Sequence, residues 1–94
     1  MPQTSVTKKA KRVKFSFMAP QANQVSLAGD FNTWDTRTTV MKKDKKGMWT
    51  CSISLSPGTY AYRFFVDGHW ENDPACGDFA ENPYGTVNCL IRVE

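Results

Sequence analysis

Residues 49–70 read WTCSISLSPGTYAYRFFVDGHW, two alternating runs joined by one turn and closed by another. In the first run the apolar residues share one parity from Trp49 to Leu55, with small polar residues between them. In the second run one face carries large apolar residues from Tyr60 to Val66. Period-two alternation is typical of strands with one buried face, so both runs are predicted strands. Trp49 has the parity of the buried set and is predicted to lie in the core.

Two dipeptides mark the turns around these strands. Pro57-Gly58 predicts a turn because proline presets φ and glycine accepts a positive φ. Asp67-Gly68 is a strong hairpin signal. The chain should therefore fold back after Val66 into a short strand around Trp70, with His69 exposed.

Similar short patterns fill the rest of the chain, and no eleven-residue window has a convincing helical repeat. We predict strands from Arg12 to Phe17, over 25–29, at Val40-Met41 and over 86–93. Residues 42–47 should form a charged hairpin turn, and residues 73–85 a long ordered loop. About seven short strands with frequent turns indicate an all-β sandwich.

Length and composition indicate one small globular domain. The chain has 94 residues, with 40% hydrophobic and 22% charged side chains. No apolar run approaches the 18 residues that span a membrane, and no apolar segment follows the basic N-terminus as in a secretory signal. We expect a cytoplasmic protein. The Met1 start favours a free-standing chain, with an excised fragment of an amylolytic enzyme as the alternative.

Basic charge is concentrated at the start of the sequence. The net charge is +3, yet residues 8–14 supply five of the twelve basic side chains, and residues 15–94 carry seven basic against nine acidic ones. We therefore predict a disordered basic tail over residues 1–11 and a folded body over 12–94. An acidic body argues against nucleic-acid binding.

Metal and catalytic chemistry have little support. Cys51, Cys76 and Cys89 have no C-x-x-C spacing, and His69 is the one histidine, so we expect reduced structural thiols, no metal and no cofactor. Glycoside cleavage needs two carboxylates across a bond in a cleft, whereas the acidic residues here lie mostly in turns. We expect a non-catalytic protein.

Trp34 and Trp70 each follow an apolar strand-like run and lie in a polar turn. Large flat rings in such loops suggest a surface for stacking on a sugar ring, although rings that cap the ends of the sandwich would occupy similar positions. Their polar neighbours Asp30, Asn32 and Asp67 are predicted to form turns and not to bind a ligand.

Three ordered motifs carry a family resemblance: LAGDFNTW at 27–34, YRFFVDGHWENDP at 62–74 and NPYGTVN at 82–88. Together they resemble the family 48 carbohydrate-binding module, the glycogen-binding domain of AMP-activated kinase β subunits. Related early-set domains precede the catalytic barrels of isoamylases and glycogen branching enzymes. The likeness covers about residues 12–94 and implies an immunoglobulin-like β-sandwich in one domain.

The resemblance also implies binding of glycogen, starch or maltooligosaccharides. In binding members two tryptophans form the sugar platform, a basic residue and a Thr–Asn pair contact hydroxyls, and an apolar residue enters the curved glucan. The corresponding residues here are Trp34, Arg63, Trp70, Tyr84, Thr86 and Asn88.

Two of these positions depart from the family pattern. Arg63 stands where kinase-type members usually have lysine, and Tyr84 is bulkier than the usual aliphatic residue; both bear on affinity and preferred chain length. A glycogen-metabolising enzyme or kinase is the protein partner that the resemblance implies. The alternative is an early-set domain that docks on a partner protein and binds no sugar.

Overall fold

The computed structural model describes residues 10–94. In this part of the chain eight strands form two antiparallel sheets and there is no α-helix. The all-β, single-domain immunoglobulin-like sandwich predicted from the sequence is confirmed. The strands are β1 (Lys11–Met18), β2 (Val25–Gly29), β3 (Lys42–Lys43), β4 (Met48–Leu55), β5 (Gly58–Val66), β6 (His69–Glu71), β7 (Asp78–Glu81) and β8 (Val87–Val93), and a 3-10 turn (Asp30–Asn32) follows β2.

The two sheets have different sizes. The smaller has the order β1-β4-β3, and the larger has the order β2-β5-β8-β7 with β6 paired to β5. On one edge of β5 lies β2, which pairs with its second half. The opposite edge is shared, because β8 pairs with Gly58–Tyr62 and β6 with Phe64–Val66. That shared edge positions the site described below.

The core lies between the sheets and is rich in aromatic rings. Phe64 is fully buried, and its ring centroid lies 4.8 Å from that of Phe17. The indole of Trp49 is only 7% exposed and donates a hydrogen bond to the Ala19 carbonyl at 2.8 Å. The predicted core position of Trp49 is confirmed.

Two sequence predictions need correction. The loop predicted over 73–85 contains β7, an edge strand. Its sequence has no clear apolar alternation, and its one large apolar side chain, Phe79, is 54% exposed. Val40 makes only an isolated bridge to Ser26, and the ladder with β4 begins at Lys42, inside the predicted turn. The predicted disordered tail lies outside the described residues except at its end, where β1 begins at Lys11.

The expectation of three reduced thiols is also wrong. Cys76 and Cys89 form a disulfide across 13 positions of sequence, while Cys51 has a free thiol. No local motif marks this pair, because the sheet brings the segment after β6 beside β8. Burial raises the pKa of the Cys51 thiol to about 11.

Two kinds of feature are absent from residues 10–94. In that range no helix is long and apolar enough to cross a membrane. No group of three His, Cys, Asp or Glu side chains lies close enough together there to hold a metal ion. The absence of a metal or cofactor stays a prediction.

Candidate functional site

A cavity of about 760 Å³ opens on the outer face of the larger sheet, at the edge shared by β6 and β8. Its volume lies in the range of about 300–1,000 Å³ typical of small-molecule sites. All six site residues predicted from the sequence surround it, together with two that were not predicted. The lining residues are Trp34, Arg63, Trp70, Asn82, Pro83, Tyr84, Thr86 and Asn88.

Trp70 reaches the cavity through a tight turn. Asp67 and Gly68 have φ angles of 48° and 88°, the left-handed pair that a type I′ hairpin requires. The chain then returns along β5 with Trp70 directly opposite Phe65. Opposite residues share one face of a sheet, and these two rings lie 4.8 Å apart. The predicted short strand at Trp70, with His69 exposed, is confirmed.

Arg63 and Asn88 lie on the same outer face, one strand apart. Tyr62 and Cys89 are paired, and both side chains face the interior of the sandwich. Because side chains alternate along a strand, their neighbours Arg63 and Asn88 point to the outer face. The guanidinium carbon of Arg63 lies 5.8 Å from the centroid of the Trp70 ring, within cation–π range. Its Nε is buried and has no hydrogen-bond partner among the described residues. An unpaired buried donor costs about 1–3 kcal/mol, so Arg63 is held in the cavity wall at a cost to stability.

Trp34 is fixed by its own loop. Its backbone N–H donates to the Gly29 carbonyl at 2.9 Å, and its indole N–H donates to Asp30 Oδ1 at 3.0 Å. The second oxygen of Asp30 accepts the N–H of Ala61 on β5 at 2.9 Å. Asp30 therefore clamps the indole to the sheet. The spacing of residues in the sequence does not predict this link from Trp34 through Asp30 to Ala61.

Gly29 and Asn32 shape the start of the same loop. A Cβ on Gly29 would lie 2.5 Å from the Ala61 carbonyl oxygen, so no larger residue fits there without a shift. The Asn32 side chain accepts the N–H of Gly29 and donates to the Leu27 carbonyl, both at 3.0 Å. Asp30 and Asn32 thus form the turn, as predicted, and neither lines the cavity.

Trp34, Phe65 and Trp70 form what we term the aromatic cluster. The Trp34 and Trp70 ring centroids lie 6.0 Å apart with an interplanar angle of 66°. Trp70 remains 40% exposed despite its contacts with both neighbours. Two indoles at such an angle offer a bent apolar platform instead of a flat one.

Asn82 organises the opposite wall of the cavity. Its Oδ1 accepts the backbone N–H groups of Tyr84 and Thr86 at 3.0 and 3.2 Å. Its Nδ2 donates to Thr86 Oγ1 at 2.7 Å and to Asn88 Oδ1 at 3.1 Å. Thr86 and Asn88 act as acceptors here, and their own side-chain donors have no acceptor among the described residues. Those donors are available to a ligand.

Asn82 and Pro83 were not predicted as site residues. An Asn-Pro pair followed closely by glycine is a turn signal, which could have identified an ordered loop but not its place in the cavity. Tyr84 follows them at the rim and is 89% exposed. Gly85 then closes the turn with a φ of 83°.

The segment after β6 is tied behind the cavity. The Tyr62 hydroxyl donates to Asp73 Oδ2 at 2.8 Å, and the Asp73 N–H donates to Cys89 Sγ at 3.3 Å. The pKa of Tyr62 is raised above its ordinary value. Burial of the hydroxyl is the larger cause, and its hydrogen bond to Asp73 is the smaller one. These contacts and the Cys76–Cys89 disulfide join the segment to the core.

The lining residues combine apolar rings with amide, hydroxyl and guanidinium groups. None of them is Asp, Glu or His, so the cavity wall provides no pair of carboxylates for glycoside cleavage. The arrangement suits an uncharged ligand that has a flat apolar face and hydroxyl groups around its rim. A pyranose ring has this character.

Comparison with known proteins agrees with this description. A sequence-family profile described as the glycogen recognition site of AMP-activated protein kinase matches residues 12–94. The mouse 5'-AMP-activated protein kinase subunit beta-2 is 34% identical over 71 residues, 76% of this chain and 25% of that protein. The branching enzyme GlgB (1,4-alpha-glucan branching enzyme) of Paraburkholderia xenovorans is 37% identical over 89 residues, 87% of this chain and 12% of the enzyme.

A third relative is a plastid protein. Protein PTST homolog 2, chloroplastic, of Arabidopsis thaliana is 43% identical over 53 residues, 56% of this chain and 10% of that protein. The chain thus spans between a tenth and a quarter of the length of these three relatives.

Proposed function

Because the chain belongs to the glycogen-recognition family of AMP-activated protein kinase, we propose that its cavity binds a glycogen-like α-1,4-glucan through Trp34 and Trp70. The chain is a carbohydrate-binding module and not a catalytic domain, and the branching enzyme matches it over only 12% of the enzyme's length. The folded unit that carries this function is residues 12–94.

The angled tryptophan pair is the observation that carries the proposal. A pyranose presents axial C–H groups on one face, and an indole offers a large electron-rich surface to receive them. Successive rings of an α-1,4-glucan turn relative to each other, so two indoles at 66° and 6.0 Å can stack on neighbouring units. A flat aromatic surface would meet only one unit well.

Polar groups on the other sides of the cavity would orient the sugar. Arg63 would donate through its guanidinium group, while Thr86 and Asn88 would donate to hydroxyl oxygens. Tyr84 would stack on the glucan from the rim. Because hydroxyls bond equally well to water, these contacts add orientation more than affinity, and we expect a Kd of about 1 μM to 1 mM.

The relatives also suggest what this module does as part of a larger protein. Relatives named as a kinase subunit and as a glucan branching enzyme contain a matching segment. We expect this module to bring a glycogen-metabolising enzyme or kinase to its polysaccharide. A cytoplasmic location stays a prediction, since one relative is named as a chloroplastic protein.

Retention on immobilised glycogen tests the proposal. Trp70→Ala should abolish retention while the circular dichroism spectrum stays that of the wild type. The matched control is Phe79→Ala, because Phe79 is also an exposed aromatic residue on the same sheet but does not line the cavity. Full retention of Trp70→Ala would contradict the sugar platform. A wild type that does not bind glucans but binds a partner protein would support the protein-docking alternative.

A further inference from the structure

A second cavity, of about 140 Å³, lies on the other side of the aromatic cluster. Phe65 belongs to both regions, since its ring lines this cavity and lies 4.8 Å from the Trp70 ring. The two cavities therefore adjoin the same aromatic cluster. Its principal lining residues are Gln24, Ser26, Thr36, Phe65, Asp67 and Gly68.

One wall of this second cavity is held rigidly by the hairpin turn. The Asp67 carboxylate accepts the backbone N–H of Asn23 at 3.0 Å and that of Gln24 at 2.8 Å. In return the Asp67 N–H donates to the Gln24 carbonyl at 3.0 Å. The Asp67 carboxylate is therefore bonded to backbone N–H groups. The side-chain amide of Gln24, a residue that lines the cavity, takes no part in these bonds.

The opposite wall is also fixed. Ser26 bridges to Val40, and the N–H of Leu27 donates to the Thr39 carbonyl at 2.9 Å. These bonds anchor the segment that carries Thr36 against β2. Because both walls are hydrogen-bonded before any ligand arrives, little ordering cost is added on binding.

The chemistry of the lining matches a sugar unit. Phe65 supplies an apolar surface, while Thr36 supplies a hydroxyl group beside the Gln24 amide, and Ser26 lies buried at the base of the cavity. Arg37, whose side chain is 91% exposed, adds donors at the rim. A cavity of about 150 Å³ holds benzene, and a pyranose unit with its hydroxyl groups is larger, so one edge of a sugar unit would enter this space while the rest stays outside it.

We propose that this second cavity is a further sugar subsite, entered by one unit of a glucan that continues past Trp70 over the aromatic cluster. The inference rests on the proposed function, because the main cavity must hold the rest of the same chain. Its consequence is a preference for long glucans. A short oligosaccharide fills the main cavity alone, whereas a longer one gains the contacts of Gln24 and Thr36.

The test compares Kd values for maltotriose and maltoheptaose, measured by NMR titration. The variant Gln24→Ala/Thr36→Ala should bind maltoheptaose about five- to thirtyfold more weakly, as expected for two lost hydrogen bonds, and maltotriose as the wild type does. The matched control is Gln21→Ala/Thr59→Ala, which removes the same residue types from exposed positions outside both cavities. In the wild type, the Gly68 amide resonance should shift with maltoheptaose and not with maltotriose.

The outcomes separate the two proposals. An equal loss for both sugars, or no loss for either, would overturn the second subsite and leave the proposed function standing. A wild type that binds neither sugar would overturn the proposed function and the subsite together.

Discussion

Two regions of this molecule are built from aromatic rings, the core around Trp49 and the aromatic cluster at the cavity. Trp49 is 7% exposed and its N–H is bonded to the Ala19 carbonyl, whereas Trp70 keeps 40% of its surface exposed. Burial of a large apolar side chain stabilises the fold by about 1.5–3 kcal/mol. The exposed part of Trp70 contributes none of this, and it is the part available to a ligand.

The regions also differ in how their rings are held. In the core, rings pack on one another, as Phe64 does with Phe17. In the aromatic cluster, a carboxylate clamp on Trp34 and the Asp67-Gly68 turn before Trp70 fix the positions. Substitutions should therefore separate stability from binding, and the predictions below test that separation.

The largest expected effect is on the core. Phe64→Ala should lower the free energy of unfolding by about 3–5 kcal/mol, because Phe64 is fully buried and its removal leaves a cavity. Urea denaturation followed by circular dichroism measures the change. A loss below about 1 kcal/mol would mean that the aromatic core does not determine stability.

The disulfide gives the next effect. Cys89 lies in the core, while Cys76 belongs to the segment between Trp70 and β7. Cys76→Ser should lower the free energy of unfolding by about 3 kcal/mol, since closing a loop of this length restricts the unfolded chain. Cys51→Ser is the matched control without a bridge. Identical midpoints for oxidised and reduced wild type would contradict the expectation.

A smaller effect is expected at the cavity. Arg63→Met keeps an unbranched apolar stem but removes the charge above Trp70 and the unpaired Nε. Maltoheptaose affinity should fall about tenfold, as expected for one charged hydrogen bond, with little change in the melting temperature. A fall in stability with unchanged affinity would reverse the assigned roles of the two regions.

The smallest effect concerns pH. Burial raises the pKa of Cys51 to about 11, so the folded state keeps a proton that the unfolded thiol loses near its ordinary value. The unfolded state then binds fewer protons, so stability should fall as the pH rises from 7 to 10. Cys51→Ala should make this slope shallower, and the raised pKa of Tyr62 accounts for the part that remains. An equal slope in that variant would place the titrating group elsewhere.

Acidic residues beside the aromatic cluster respond in the opposite direction. The Arg37 backbone N–H donates to Asp35 at 2.8 Å, and this bond lowers the pKa of that carboxyl group, which is next to Trp34. Its contribution is present above the ordinary pKa of aspartate and is lost as the pH falls below it. The core is thus sensitive to alkali, and the loop beside the cavity to acid.

Strand alternation and turn chemistry were sufficient to predict most of the fold. Residues from Trp49 to Leu55 alternate strictly because one face packs on the core, and Asp67-Gly68 is one of few dipeptides that suit a tight hairpin. Strand β7 was missed because an exposed edge strand needs no apolar face. Its sequence therefore resembles that of a loop.

The finer features of the site depend on contacts between distant residues. The bond from Ala61 to Asp30 joins residues 31 positions apart, and the Cys76–Cys89 pair depends on the register of β8. The second cavity likewise forms only when the turn at Asp67 meets the backbone of Gln24. Local sequence patterns contain no signal for such pairings.

The contrast between the three tryptophans can be observed in one NMR titration. The three indole N–H resonances, assigned with Trp49→Phe and Trp70→Phe, are followed as maltoheptaose is added to the wild type. The resonances of Trp34 and Trp70 should shift and saturate with one Kd, while that of Trp49 stays in place. If no indole resonance moves, or if that of Trp49 moves as far as the other two, the assignment of glucan binding to the aromatic cluster is wrong.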